Sequence, residues 1–247
     1  MKIVVIGGTG LIGSKVVANL ARQGHQAVAA APNTGVNTLT GEGLAEALAG
    51  AEVVVDVSNS PSLDGDTAMK FFQTATRNIA EAEAAAGVQH HVALSVVGTE
   101  RLPESGYLRA KAAQEELIAA APIPYSLVHA TQFFEFVKAI ANDAEVDGEL
   151  HFAPVEFQPI ASDDVALTVT RAALGEPTKG RVEVGGPERR LMDDFFRAAL
   201  AAWDDPRTVI TDPHAHYFGT ELGMDSLVPG PGALTGAISY AEWSAKQ

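Results

Sequence analysis

Ser95, Tyr107 and Lys111 fall within the stretch HVALSVVGTERLPESGYLRAKAAQEEL, and their types and spacing suit proton transfer to a carbonyl oxygen. A phenol with its ordinary pKa of about 10 exchanges protons poorly near neutrality. A neighbouring ammonium favours the phenolate and lowers that value. Tyr107 and Lys111 are four residues apart, which puts both side chains on one face of a helix. Ser105 is placed to cap that helix. Ser95 lies at the end of an expected strand, where open α/β sheets carry their ligands. The three would form a set in which Ser95 holds an oxygen, Tyr107 protonates it, and hydride arrives from elsewhere.

A hydride source is suggested near the start of the chain. The apolar run IVVI leads directly into GGTGLIG, with Gly7, Gly10 and Gly13 spaced GxxGxxG. The three glycines divide the work between a tight turn after the strand, close backbone approach to a pyrophosphate, and close packing of helix on strand. The helix that starts there aims free N–H groups and a partial positive charge at an anion. Gly7, Thr9, Gly10, Leu11, Ile12 and Gly13 are therefore the expected cofactor-binding turn. A P-loop would need Lys directly after the last glycine, but Ser14 stands there and Lys15 comes one residue later. The end of the second strand reads AAAPNTGVN, without the carboxylate that usually binds the ribose 2′-hydroxyl of NAD. Asn33 and Thr34 are the residues expected to meet the ribose or a 2′-phosphate. The missing acid places NADP(H) slightly ahead of NAD(H), and the missing Arg keeps the margin small.

Positioning such a set requires alternating strands and helices, and the pattern supplies them. Strands are expected at Ile3–Ile6, Gln26–Ala31, Val53–Val57, His91–Val97 and Tyr125–His129. Helices are expected at Leu11–Gln23, Gly43–Leu48, Thr67–Ala86 and Leu108–Ala120, stopped by Gly24, Gly87 and the prolines 122 and 124. The expected class is α/β: a doubly wound parallel sheet of the Rossmann kind with a small C-terminal substrate lobe. The chain is read as one domain over 1–247, with its core at roughly 1–130 and its lobe built mainly from 131–160 and 187–247. A net charge of −14 without a basic patch argues against nucleic acid or an anionic membrane as partner. No apolar run approaches the roughly 18–20 residues of a membrane span. Met1-Lys2 leads straight into a strand, which leaves no room for a signal peptide. The absence of cysteine excludes disulfides and thiolate metal sites and fits a reducing compartment, so a cytoplasmic location is expected. The pattern does not reveal an oligomeric state.

The later third is rich in aromatic and histidine residues. Phe133, Phe134 and Phe136 follow the expected strand at Tyr125–His129, His151 and Phe152 come next, and DPHAHYFG gathers His214, His216, Tyr217 and Phe218. Phe133, Phe134, His214 and Tyr217 are the candidate lining of a substrate pocket, which suits a small, flat aromatic molecule. Phe133 and Phe134 are adjacent, so one of them is expected to face the pocket and the other the core. No metal is expected, because His214 and His216 would point to opposite sides of an extended segment and no thiolate is near. Asp163 and Asp164 in SDDVALTVT read as the charged start of a helix, with Ser162 or Asp163 as its cap.

Taken together, these stretches resemble the NmrA-like, atypical branch of the short-chain dehydrogenase/reductase superfamily. The likeness is carried by GGTGLIG at 7–13, VVVDVSNS at 53–60, LSVVG at 94–98, YLRAK at 107–111, PYSLVHATQFFEF at 124–136 and QPIASDDVA at 158–166. VEVGGPE at 182–188 extends it. The resemblance implies that Lys111 contacts the nicotinamide ribose and completes a Ser95–Tyr107–Lys111 set. It also implies that Ser58 and Asn59 approach the cofactor and that Ala130, Thr131 and Gln132 run beside the nicotinamide. Asn37 stands where relatives often carry Asp, and His129 where many carry Arg. The expected activity is NAD(P)H-dependent reduction of a carbonyl or quinone in a small aromatic molecule. The branch also contains redox sensors that bind the dinucleotide without turnover, and tailoring enzymes for aromatic polyketides that use the nicotinamide for an unusual step. Both remain open as alternatives at this point.

Overall fold

The computed structural model describes residues Met1–Gln247. In chain order its elements are β1 (Lys2–Ile6), α1 (Leu11–Arg22), β2 (Gln26–Ala30), α2 (Leu44–Leu48), β3 (Val53–Asp56), α3 (Gly65–Ala86), β4 (His90–Val96), α4 (Gly106–Ala120) and β5 (Tyr125–Ala130). There follow α5 (Val137–Asp143), β6 (Glu145–Val146), β7 (Glu149–Phe152), β8 (Glu156–Phe157), α6 (Ser162–Leu174), β9 (Arg181–Gly185), β10 (Arg190–Leu191) and α7 (Met192–Ala202). The last are β11 (Val209–Thr211), β12 (His216–Tyr217), β13 (Thr220–Glu221), β14 (Leu234–Thr235) and α8 (Tyr240–Ser244).

Seven strands form one sheet in the order β14-β9-β5-β4-β3-β1-β2, and every neighbouring pair is parallel. This is a doubly wound Rossmann arrangement, and the strand order reverses between β1 and β3. The crevice outside the C-terminal ends of those two strands is where such sheets bind ligands. Strands buried on both faces explain the unbroken runs IVVI and VVV. Ile3, Val5, Val53 and Val55 face α1 and α6, whereas Val4, Ile6 and Val54 face α2 and α3. The long α3 starts two residues earlier than expected, capped by the Asp64 carboxylate on Asp66 N, and ends at Gly87 with φ 72°. No helix is long and apolar enough to cross a membrane.

A separate apolar core holds the lobe, joining Leu102 and Leu108 to Val137, Phe152, Phe157, Phe196 and Leu227. Segment 187–247 does not stay in this lobe. Leu234 and Thr235 return to the main sheet beside β9, and Gly236 N donates to Gly185 O at 2.8 Å.

The start of α6 departs from the expected capping. Ala161 occupies the cap position, and the Glu135 carboxylate, from the segment after β5, accepts from Ser162 N at 3.3 Å. Ser162 donates its hydroxyl to the same carboxylate, so it cannot cap its own helix. Asp163 instead pairs with Lys15 of α1 at 2.7 Å, and Asp164 accepts Ala237 N and Ile238 N at 2.9 Å each. The acids of SDD therefore fasten separate segments to one helix end.

Below the sheet, His91 Nδ1 of β4 lies 2.6 Å from Glu83 Oε1 of α3, with both side chains buried. Removing one partner of such a pair leaves the other charged and uncompensated. Glu83→Gln is expected to cost about 3 kcal/mol of stability, read from urea unfolding at neutral pH. A loss under about 1 kcal/mol would show that the pair carries no such weight.

Candidate active site

The turn between β1 and α1 is shaped by contacts that leave no room for side chains. Gly7 has φ +75°, and a Cβ there would lie 2.9 Å from Ser58 N, directly across the crevice. A Cβ on Gly13 would come within 2.1 Å of Gly7 O. Gly10 caps α1 without a side chain, so the first N–H groups of the helix stay open to an anion. Leu11 is partly exposed at the helix start and Ile12 is buried beneath it. This cradle fits a pyrophosphate held by backbone groups. At the end of β2, Thr9 Oγ1 donates to Asn33 Oδ1 at 3.0 Å, which ties the turn to the adjoining loop. Thr34 departs from its expected role. Its hydroxyl accepts Ala31 N and sits within 3.1 Å of Ala29 O and Ala31 O, so it locks its own turn.

Across the crevice, the Asp56 carboxylate ends β3 almost wholly buried. Its Oδ1 accepts Ser58 N at 2.9 Å and Ser58 Oγ at 2.6 Å, and its Oδ2 accepts Gln114 Nε2 at 3.0 Å. Gln114 Oε1 in turn accepts from Lys111 Nζ. Lys111 also donates to Leu94 O at 2.9 Å and lies 4.5 Å over the Phe72 ring. Burial lowers its pKa to about 8, against the pull of Asp56 and Glu115.

Tyr107, four residues earlier on α4, packs against the same Phe72 ring. Its hydroxyl donates to Asn59 Oδ1 at 2.9 Å. The expected lowering of its pKa is overturned, because burial pushes it up to about 12 and only Asn59 opposes the rise. The ammonium is spent on Leu94 and Gln114, so it does not act on the phenol. Ser95 is also placed differently from the expectation. It lies on the strand face that meets α4 and gives its hydroxyl to Glu115, whose other oxygen is 3.3 Å from His129 Nε2. Burial works to raise the Glu115 pKa, but the neighbouring His129 ring and the hydrogen bond from Ser95 hold it low. Thus Tyr107 and Lys111 share one helix face, whereas Ser95 hydrogen-bonds into a separate buried group.

After β5, Ala130 and Thr131 are buried, and Thr131 is pinned by its N–H to Val184 O and its hydroxyl to Gln158 O. Gln132 is the residue left facing polar company, since its amide lies beside the Tyr217 hydroxyl. Tyr217 and Tyr107 both pack on the lobe core, from the β12–β13 hairpin and from α4. Phe133 is half-buried and stacks on Phe136 with ring centres 5.6 Å apart. Phe134 is corrected to a core residue, buried against Tyr240 and Trp243. His214 is corrected to a surface residue, its side chain 81% exposed beside Glu221. Asp56, Gln114, Glu115 and Phe72 were not expected at the site. Helix spacing held the signal for two of them, since Gln114 and Glu115 follow Lys111 by three and four residues.

A glycine cradle at a topological switch point, with a tyrosine and a lysine on the facing helix, defines a dinucleotide-binding protein of the Rossmann class. A model of the NAD(P)H-binding family matches residues 7–176, and the chain belongs to that family, within its NmrA-like, atypical short-chain dehydrogenase/reductase branch. It is 24% identical over 189 residues to the photosystem II assembly factor Ycf39 of Synechocystis, covering 70% of this chain and 58% of that protein. It is 28% identical over 204 residues to the (4-alkanoyl-5-oxo-2,5-dihydrofuran-3-yl)methyl phosphate reductase of Streptomyces griseus, covering 75% and 68%. The chain thus spans less than two thirds of the length of the first relative. In fold it is similar to the dTDP-glucose 4,6-dehydratase DesIV of Streptomyces venezuelae, with a TM-score of 0.74 at 15% identity, covering 100% of this chain and 95% of that one. The UDP-glucose 4-epimerase of Thermus thermophilus gives 0.69 at 17%, covering 100% and 93%.

Gly13→Val is expected to weaken NADPH binding at least about tenfold, read from the fluorescence of the bound nicotinamide. Circular dichroism on the same sample establishes whether the fold survives. Unchanged affinity in a folded variant would remove the cradle from the binding site.

Proposed function

We propose that the protein is a reductase of the short-chain dehydrogenase/reductase type. It would use NAD(P)H to reduce a carbonyl or quinone in a small, flat, aromatic molecule. The observation that carries this reading is the Tyr107 hydroxyl, hydrogen-bonded to the residue that follows Ser58, the backbone partner of the glycine cradle. A bound reduced nicotinamide supplies hydride. The cradle from Gly7 to Gly13, Asn33, Asn59 and Gln132 would hold the dinucleotide, with Lys111 assigned to the nicotinamide ribose. A substrate oxygen would take the place of Asn59 Oδ1 as acceptor of the Tyr107 proton. Burial keeps the phenol protonated across the physiological range but also makes it a weaker acid than a free tyrosine, so it would give up its proton only to the strongly basic oxygen that forms on the substrate as hydride arrives. Tyr217 and Gln132 offer a second hydroxyl and an amide to orient that oxygen, the work first expected of Ser95. Lys111 acts as a brace, holding α4 to β4 and, through Gln114 and Asp56, steadying Ser58. The end of β2 presents Asn33 and no carboxylate, which favours NADP(H) over NAD(H) by a small margin.

A second reading has one specific observation in its favour. Ser95 gives its hydroxyl to Glu115 and Lys111 gives its protons to Leu94 and Gln114, so the set is not wired for proton relay. This suits a dinucleotide-binding regulator that distinguishes oxidised from reduced cofactor without turnover.

NADPH and NADH oxidation against a panel of quinones and aromatic ketones separates the two readings. Tyr107→Phe should lower kcat by about 100-fold or more while NADPH affinity stays within about twofold. Full activity in that variant would move the acid elsewhere. No turnover across the panel, with a large preference for one redox form, would favour the regulator. Lys111 loses its proton as pH rises through about 8, so the wild-type rate should hold level below that pH and fall above it. A rate that is flat to pH 10 would show that the ammonium plays no part.

A further inference from the structure

We infer that the molecule presented to Tyr107 is uncharged, and that this site rejects carboxylated, sulfonated and phosphorylated carbonyls. The inference rests on the reductase reading but is carried by separate observations. Segments 131–160 and 187–247 hold 15 Asp and Glu against 6 Lys and Arg, a balance of −9 within a total of −14. These segments, which build most of the lobe, therefore carry most of the net negative charge.

The arginines of these segments and Lys138 are already engaged, as are Arg101 and Arg109, while Lys246 lies near Glu242 at the C-terminus. Arg101 donates to the carbonyls of Asp225 and Val228 at 2.7 and 2.8 Å, and Arg109 to those of Pro103 and Glu104. Arg189 is held by Glu156 and Asp225, and Arg190 by Glu188. Arg197 is held by Asp193 and Asp194, and Arg207 by Asp205 and Glu145. Lys138 lies over the Trp203 ring at 5.3 Å. An anionic group on a substrate would have to compete with these carboxylates and carbonyls for a cation.

A small pocket beside Tyr217 points the same way. Its polar lining is Asp143, His151, His216 and Tyr217, and the rest is apolar, including Phe152 and Met192. The Asp143 carboxylate in this lining is close enough to add to the rise in the Tyr217 pKa that burial causes. The dinucleotide escapes this field because its pyrophosphate meets backbone N–H groups at the start of α1. The start of α7, at Met192 beside this pocket, instead carries Asp193 and Asp194 in its first turn, which oppose an anion. A ring system with a neutral carbonyl loses nothing here, and its oxygen finds Tyr107, Tyr217 and Gln132. This separates the chain from its Streptomyces griseus relative, whose name specifies a phosphate ester.

The test is calorimetric binding to the protein saturated with NADP+, which reads affinity without turnover. The probes are acetonaphthone and its ring-sulfonated analogue. Acetonaphthone is expected to bind, and the sulfonate at least about tenfold more weakly at low ionic strength, with the gap narrowing in half-molar salt. Asp143→Lys, an exposed change at the C-terminal end of α5 and outside the Tyr107 machinery, should bring the sulfonate within about threefold of the ketone. Equal or tighter binding of the sulfonate by the wild type would overturn the inference, and so would failure of the neutral ketone to bind. Binding of acetonaphthone without NADPH oxidation would instead count against the reductase reading and leave the charge selection standing.

Discussion

Asp56 ends β3 buried, 1% exposed, and three donors are turned towards its carboxylate. The backbone N–H and hydroxyl of Ser58 satisfy one oxygen and the Gln114 amide satisfies the other. Gln114 passes the connection to Lys111, and Lys111 to the carbonyl of Leu94 in the next strand. A buried carboxylate is tolerable only when its lone pairs are met, and a buried ammonium only when its protons are. Each therefore requires the other's intermediary to stay in place. The result fixes the loop after β3, the side of the crevice opposite the glycine turn, to the helix that bears Tyr107. Loss of any one member would leave a charge unpartnered in a dry setting, where such networks fail together.

Carboxylates play the same connecting part at the edge of the fold. Glu135 holds the start of α6 and the Trp243 indole, Asp164 holds two backbone N–H groups at 237–238, and Glu183 accepts Gly230 N at 2.6 Å. Glu188 accepts Tyr240 N. In a chain with so many acids, part of the negative charge is thus internal framework, directed at main-chain donors. The remainder lies at the surface.

The parallel sheet and the glycine cradle were legible because they rest on local rules, namely apolar runs of strand length, turn glycines and helix stops, whereas β9 and β14 were not among the expected strands. Tyr107 and Lys111 were legible as neighbours for the same reason, since four residues span one helical turn. What each would bond to was not. The pattern contains Asp56 as one acid inside an apolar strand, but nothing local says that Gln114, almost sixty residues later, meets it. Ser95 illustrates the same limit. Its distance from the end of β4 decides which face it takes, and one residue of strand length reverses that answer. Phe133 and Phe134 divided as adjacent residues must, one to the half-buried stack and one to the core. Thr34 and His214 were misjudged because a turn can consume its own hydroxyl, and a hairpin can turn its histidine outward.

The placement of β14 bears on how the molecule is made. Leu234 and Thr235 lay down the last strand of a sheet whose first strand is β1, and they pair with β9, some fifty residues earlier. During synthesis the other six strands can assemble while this segment is still inside the ribosome. The edge of β9 and the Asp164 carboxylate then wait without partners. An open parallel edge is a template for stray association. The nascent chain is therefore most exposed to mispairing in the interval between completion of β9 and emergence of residues 234–238, and the closing strand ends that interval.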